Sequence, residues 1–336
     1  MTNWKKPEMK TRFFTAIFLA MTVSIFASET SFQHFITARD GKLFDGQKEF
    51  RFISFDVPNL LLIEDNLGFT NENPWRLPDK FEINDALESV AQMGGTVART
   101  YVISVAKTND LPGTPRHVLA PGKSNEKAFR EMDEVLATAN RTGVRLIIPL
   151  VDNWPWMGGR AQYAAFRGKS ADEFWTDPQL ISDFEKTIHF VLTRTNTITG
   201  VRYCDDKAIL CWETGNEVQS PVSWTRKIAR YIKSLDTNHL VMDGYASQLR
   251  DEVLKMPDVD IVTTHLYPGG GKSFAERIRE NAARAKGKKV YIVGELGFAP
   301  TAKMEDAMKA IMDTGTSGGL LWSLRFRDRD GGFYWH

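Results

Sequence analysis

Two glutamates stand behind apolar runs: Glu217, in Trp212-Glu213-Thr214-Gly215-Asn216-Glu217, and Glu295, in Gly294-Glu295-Leu296-Gly297. Two carboxyl groups facing each other across a cleft suit cleavage of a glycosidic bond. One protonates the leaving oxygen while the other attacks the anomeric carbon, through an oxocarbenium-like transition state. Polar and aromatic residues end similar runs at Arg99-Thr100-Tyr101, Asp152-Asn153-Trp154-Pro155-Trp156, His265-Leu266-Tyr267-Pro268 and Trp322. Aromatic faces stack on the C–H surface of a sugar, which gives the nine Trp a use. Metal chemistry is not indicated: the six His form neither HExxH nor HxH, and two Cys are too few for a structural zinc module. Lys+Arg 43 against Asp+Glu 42 gives no electrostatic footprint for nucleic acid.

Positioning these groups together requires a particular scaffold. Eight short apolar runs read as strands: Phe50–Phe55, Thr96–Val102, Val144–Val151, Ala208–Glu213, Leu240–Asp243, Asp260–Thr264, Val290–Gly294 and Gly319–Ser323. Helix-period segments separate them at Asn84–Met93, Asn125–Asn140, Asp177–Arg194, Pro221–Leu235, Ser247–Met256, Ser273–Ala285 and Thr301–Thr314, with Asp177 and Ser220 as caps. Strand alternating with helix implies parallel pairing through crossovers. Eight such units without a glycine-rich dinucleotide fingerprint predict an α/β fold, a (β/α)8 TIM barrel, whose site lies at the C-terminal strand ends. The Asp-Gly pairs at Asp40 and Asp45 predict an N-terminal β-hairpin between Phe35 and Phe50. The last segment, Ser323–His336, is polar and glycine-interrupted, so the final helix is expected to be missing. That predicts a seam between strands eight and one, and a chain continuing beyond His336.

Arg99, Asn216-Glu217, His265-x-Tyr267, Glu295 and Trp322 together resemble the recurring site of clan A glycoside hydrolases, family 5 in particular. Asp152-Asn153-Trp154 with Gly158-Gly159, then Thr176-Asp177-Pro178, Leu192–Gly200 and Trp212-Glu213, resemble its endo-β-1,4-mannanase branch. The resemblance implies a retaining, cofactor-free hydrolase of β-1,4-mannan or a related β-glycan. It makes Glu217 the general acid/base, with a raised pKa, and Glu295 an ionised nucleophile beside Arg99 and Tyr267. It also implies that Asn216 holds the sugar 2-hydroxyl, that His265 bonds near the acid/base and that Trp322 floors the attacked sugar's subsite. Asn153 is a further substrate-binding candidate, and Trp154, Trp156 and Tyr163 are weaker candidates for neighbouring subsites. Trp212 and Glu213 read as barrel interior. Two departures stand out: Val218 follows Glu217 where mannanases usually carry proline, and the loop after Tyr267 is Pro268-Gly269-Gly270-Gly271. A glucan-active enzyme, an exo-acting β-mannosidase or a non-catalytic carbohydrate-binding barrel remain alternatives, and polysaccharide or oligosaccharide is the expected partner.

Lys5, Lys6, Lys10 and Arg12 precede a mostly apolar stretch, Phe13–Ala27, that reads as a signal peptide too short to span a bilayer. Residues 1–27 are thus expected to direct a 28–336 catalytic domain out of the cytoplasm, leaving a mildly acidic mature chain. There Cys204 and Cys211 form a disulfide or stay as buried thiols. Three motifs mislead. Gly315-Thr316-Ser317-Gly318-Gly319 precedes a strand and so forms no nucleophile elbow. Gly271-Lys272-Ser273 lacks the first glycine of a phosphate loop. Asn140-Arg141-Thr142 is a glycosylation sequon, meaningful only in a host that glycosylates.

Overall fold

The structure, a computed structural model, describes residues 1–2, 32–64 and 75–333. The segment expected to be a signal peptide, after Thr2, and the terminal residues 334–336 lie outside the described residues. Eight strands close into an all-parallel barrel: β1 Phe52–Val57, β2 Val97–Thr100, β3 Arg145–Pro149, β4 Ile209–Glu213, β5 Leu240–Asp243, β6 Ile261–Leu266, β7 Val290–Leu296 and β8 Gly318–Leu321. All eight predicted strands are present. β8 pairs with β1 from Gly318↔Phe52 to Leu321↔Phe55, so the sheet has no break there.

Inward side chains such as Val97, Ile147, Cys211, Met242 and Ile292 fill the barrel, and Ile36 and Leu43 pack onto them. Those two belong to a three-stranded antiparallel sheet, Ile36–Arg39, Lys42–Asp45 and Lys48–Phe50, built by the expected Asp-Gly turns. Asp40 and Gly41 both take positive φ (51° and 76°), as a tight hairpin turn demands. Arg145, at the start of β3, reaches His34 O and Asp45 Oδ2, both at 3.0 Å. The small sheet therefore plugs the N-terminal end of the barrel and leaves the other end open for chemistry.

Helices α1 Lys80–Gln92, α2 Glu126–Thr142, α3 Arg160–Ala165, α4 Pro178–Thr193, α5 Val222–Leu235, α6 Phe274–Ala285 and α7 Thr301–Thr314 surround it. Asp79 with Glu82, and Ser273 with Glu276, form capping boxes; Asp177 caps α4 ahead of Pro178. Ser220 does not cap α5. Pro221 occupies the cap position, and the Ser220 hydroxyl pairs with Thr225 Oγ1 at 3.0 Å. The helix expected at Ser247–Met256 is also absent: only Val253–Lys255 forms a 3-10 turn. Arg250 explains this, because its guanidinium turns inward to both Asp243 oxygens (2.7 and 2.9 Å) and to Ser220 O (2.7 Å). That anchorage fixes the backbone in a path a helix would break.

Among the described residues no helix follows β8. Residues 322–333 instead run back along α1, where Arg327 N donates to Asp85 and Arg329 N to Glu82. Ile53, Phe55 and Leu321, on the outer face of β1 and β8, are only partly buried. No helix among the described residues is long and apolar enough to cross a membrane. Cys204 and Cys211 are both buried free thiols. Asn140 is buried, with its amide donating to Leu136 O and Asp206 Oδ1, so the sequon offers no accessible acceptor.

Candidate active site

Strand parity brings most of these groups to the open end. On β1 Ser54 and Asp56 point inward, on β2 Arg99 and on β4 Glu213; on β7 Glu295, out of step with inward Ile292, joins them within a register irregularity between Val293 and Leu296; all are buried. Arg99 spends its donors on this cluster. Nε and Nη2 meet Glu213 at 2.7 and 3.0 Å, Nη1 meets Glu295 at 2.9 Å and Asp56 at 3.2 Å, and Nη2 also reaches Asn216 Oδ1 at 2.8 Å. One guanidinium thus faces three carboxyl groups. Burial, above all, lifts Asp56 well above the carboxylate range despite Arg99, and its Oδ2 is buried without a partner.

Glu217 sits at the turn leaving β4 with φ at 50°, in the left-handed region where a non-glycine residue is strained. Neighbouring backbone holds it there: Asn216 N donates to Val151 O (2.7 Å) and Val218 N to Gly244 O (2.9 Å). The second bond gives the departure at Val218 a use, since proline has no N–H to donate. Any Cβ on Gly244 would fall 1.6 Å from Gly215 O, so only glycine lets β5 approach this turn.

Glu217, Glu295 and His265 each contribute an atom to a group lying within 4.8 Å of one another. His265 Nδ1 lies 2.9 Å from Glu217 Oε1 and 3.3 Å from Glu295 Oε1. A Cβ on Gly294 would meet His265 Nε2 at 2.9 Å, so glycine makes room for this ring. One oxygen of Glu217 thus lies within 4.8 Å of one of Glu295, as a retaining pair with carboxyl groups about 5–5.5 Å apart requires. Tyr267 donates its hydroxyl to Glu295 Oε2.

The charge balance runs opposite to the sequence expectation. Burial pushes Glu217 up, but the hydrogen bond and charge of His265, the Trp154 indole N–H (2.5 Å) and Arg99 outweigh it and hold the group at about 2. Burial raises Glu295 above the usual range; Glu217 adds to the rise, while His265, Arg99 and Tyr267 oppose it. In the free site Glu217 is the better-solvated carboxylate, 25% exposed against 4% for Glu295.

Around the pair opens a cleft of about 350 Å³ lined by Tyr101, Lys107, Trp154, Pro155, Trp156, Asn216, Tyr267, Phe298 and Trp322 as well as both glutamates. Asn216 donates to the Tyr101 hydroxyl and Asp152 Oδ1, both at 3.0 Å, so protein groups take both its N–H bonds. Asn153 is not part of the lining: its amide oxygen accepts from Arg160 Nε at 2.8 Å. Tyr163 is core, buried among Phe166, Phe174 and Phe184 with its hydroxyl on Thr187. Trp212 is outside the barrel, because it alternates with Glu213; its indole donates to Asp236 at 2.7 Å. Sequence reasoning missed Asp56, Asp152 as a hub, Lys107 and Phe298. Asp56 had a signal, a carboxylate closing the first apolar run, which the reading ended one residue early. Trp156 does line the cleft and donates to Glu64.

Residues 164–299 match the family model described as GH family 5 beta-mannosidase-like. The putative mannan endo-1,4-beta-mannosidase 9 of Oryza sativa subsp. japonica is 30% identical over 304 residues, covering 73% of this chain and 73% of that protein. Mannan endo-1,4-beta-mannosidase 1 of the same organism is 36% identical over 222 residues, 56% of this chain and 50% of that protein. Apart from the former, the chain spans about half the length of the curated relatives it matches. Among solved structures, the endo-1,4-beta-mannanase from Rhizomucor miehei superposes with a TM-score of 0.73 at 22% identity, covering 86% of this chain and 90% of that one. The endo-beta-1,4-mannanase from Thermotoga petrophila gives 0.70 at 25% identity, covering 86% and 72%.

Proposed function

The chain belongs to the β-mannosidase-like group of glycoside hydrolase family 5, and from that premise we propose that it is a retaining β-glycoside hydrolase acting on β-1,4-mannan or a close relative. The observation that carries the reading is the Glu217–Glu295 pair, bridged by His265 Nδ1 and opening onto an aromatic cleft. In the proposed reaction Glu295 attacks the anomeric carbon while Glu217 protonates the departing oxygen; water then hydrolyses the glycosyl-enzyme with Glu217 as base. Arg99 and Tyr267 steady Glu295, and Trp322 floors the attacked sugar. Asn216, whose N–H bonds are taken and whose Oδ1 already accepts from Arg99, has only the second lone pair of that oxygen for a sugar hydroxyl. We extend the proposal to export, on the strength of the basic and then apolar N-terminal segment.

The test is to incubate the purified protein with mannan, glucomannan, cellulose and xylan and chromatograph the products. Mannan-derived oligosaccharides, absent with Glu295→Ala and Glu217→Ala, support the reading. Cellulose products in their place move the substrate to glucan. No product from any polymer sinks the enzymatic assignment. N-terminal sequencing of the exported protein tests the leader: a mature chain starting at Ser28 supports it, and an intact Met1 overturns it.

A further inference from the structure

Phe298 combines three features that a bystander side chain would not share. It is a bulky aromatic residue with φ at 55°, a conformation strained outside glycine. It is 64% exposed, yet it lines the cleft holding both glutamates. Its ring also lies against Tyr267, with centroids 5.5 Å apart and planes at 26°, and Tyr267 donates to Glu295. The backbone leading to it is pinned, since a Cβ on Gly297 would come within 2.7 Å of Trp322 O. The chain thus accepts backbone strain and exposes a large apolar surface at the same residue, beside Glu295. Trp154, half exposed and bonded to Glu217, holds a comparable place beside the other glutamate.

We propose that Phe298 is a substrate-contacting platform for a sugar unit adjoining the attacked one. Phe298 offers no hydrogen bond, so it selects for the apolar C–H face of a pyranose and for chain length, not for a particular hydroxyl. An aromatic contact of this kind is worth about 0.5–1.5 kcal/mol, which is roughly two- to twelvefold in affinity.

The inference rests on the glycosidase reading, so its experiment has one arm that needs no turnover. In the first arm, kcat/KM is measured for mannohexaose and for β-mannosyl fluoride, which fills only the attacked sugar's site. Phe298→Ala should lower the hexaose-to-fluoride ratio about three- to tenfold, mainly through KM, and Phe298→Tyr should restore it. An unchanged ratio overturns the proposal. If kcat falls equally on both substrates and the pH profile moves, Phe298 acts by holding Tyr267 and the platform is wrong. In the second arm, calorimetry with the Glu295→Ala protein measures binding of mannohexaose and cellohexaose, and Phe298→Ala should weaken it by the same factor. An inactive wild type whose hexaose binding still depends on Phe298 removes the proposed function and leaves the platform standing.

Discussion

The Arg99 cluster makes a sharp prediction: two conservative acid-to-amide changes on the same guanidinium should differ greatly in cost. Glu213 takes two of the Arg99 bonds, at 2.7 and 3.0 Å, with both side chains fully buried. Glu213→Gln replaces one acceptor by an amide N–H facing a guanidinium and leaves buried donors opposed. Breaking a buried pair from one side costs about 3–5 kcal/mol. At roughly 2–4 °C per kcal/mol for a domain of this size, Tm should fall by about 6–20 °C. Asp56 accepts a single longer bond of 3.2 Å, and its other oxygen is buried without a partner. Burial raises its pKa, which favours the protonated form, and asparagine is close to isosteric with that form. Asp56→Asn should therefore cost under about 1 kcal/mol, the ordinary scale for one neutral hydrogen bond. The sign follows from linkage: the native state keeps a proton that the unfolded chain releases above about pH 4. The Asp56 contribution to stability is accordingly lost as pH rises from there, and Asp56→Asn should make the decline shallower. Differential scanning calorimetry of both variants from pH 4 to 8 reads this directly. Equal Tm losses for the two variants at neutral pH would show Asp56 to be an ionised partner of Arg99 and refute the charge assignment.

Trp154→Phe removes an N–H that stabilises the ionised form of Glu217, so the Glu217 pKa should rise; because Glu217 is the lower of the pair in the free site, the acidic limb of kcat/KM should move to higher pH. A shift to lower pH would contradict it. Asp152 is raised by burial to about 7, so its contribution to stability is lost between about pH 4 and 7; Asp152→Asn should flatten that slope in denaturant midpoints. For the glutamates, azide should partly rescue Glu295→Ala, whereas Glu217→Ala should lose least on aryl glycosides with good leaving groups. Identical responses of the two variants would reverse or remove the assigned roles.

The barrel was legible because its strands are short apolar runs at even spacing and its helices carry explicit start signals such as Asp177-Pro178 and Ser273. What escaped was decided by single side chains reaching across the fold. Ser247–Met256 has helical periodicity, yet Arg250 serves Asp243 and Ser220 instead of a helix surface. Trp154 and Tyr163 looked equivalent as aromatics near a rim, but one lies in the cleft and the other in the outer core. Asn153 lost its expected place to Arg160, a partner on the short helix α3 that no periodicity announced. Spacing placed Glu217 and Glu295 at strand ends, but only the folded barrel sets His265 Nδ1 between them.

The same limit applies to the charges. Roles argued from reaction chemistry require Glu217 protonated and Glu295 ionised when the bond breaks, and in the free site the shifts run the other way, Glu217 downward and Glu295 upward. Substrate supplies the missing terms. A sugar in the cleft covers the exposed quarter of Glu217, and desolvation raises a carboxyl pKa. A sugar meeting the Trp154 ring competes for the indole that now stabilises the Glu217 carboxylate. Glu295 is already buried and gains little further desolvation. Positive charge developing at the anomeric carbon favours its ionised form, with Arg99 and Tyr267 already in place. Since the two groups meet at His265 Nδ1, a change at one shifts the other, and their titration belongs to the pair. On this argument a bound oligosaccharide that reaches Trp154 should raise the Glu217 pKa more than one that fills only the attacked sugar's site. Carbon-13 NMR titration of labelled glutamate in the Glu295→Gln protein, free and with ligands of each length, measures it; no upward shift with the longer ligand would mean that substrate does not reset the pair.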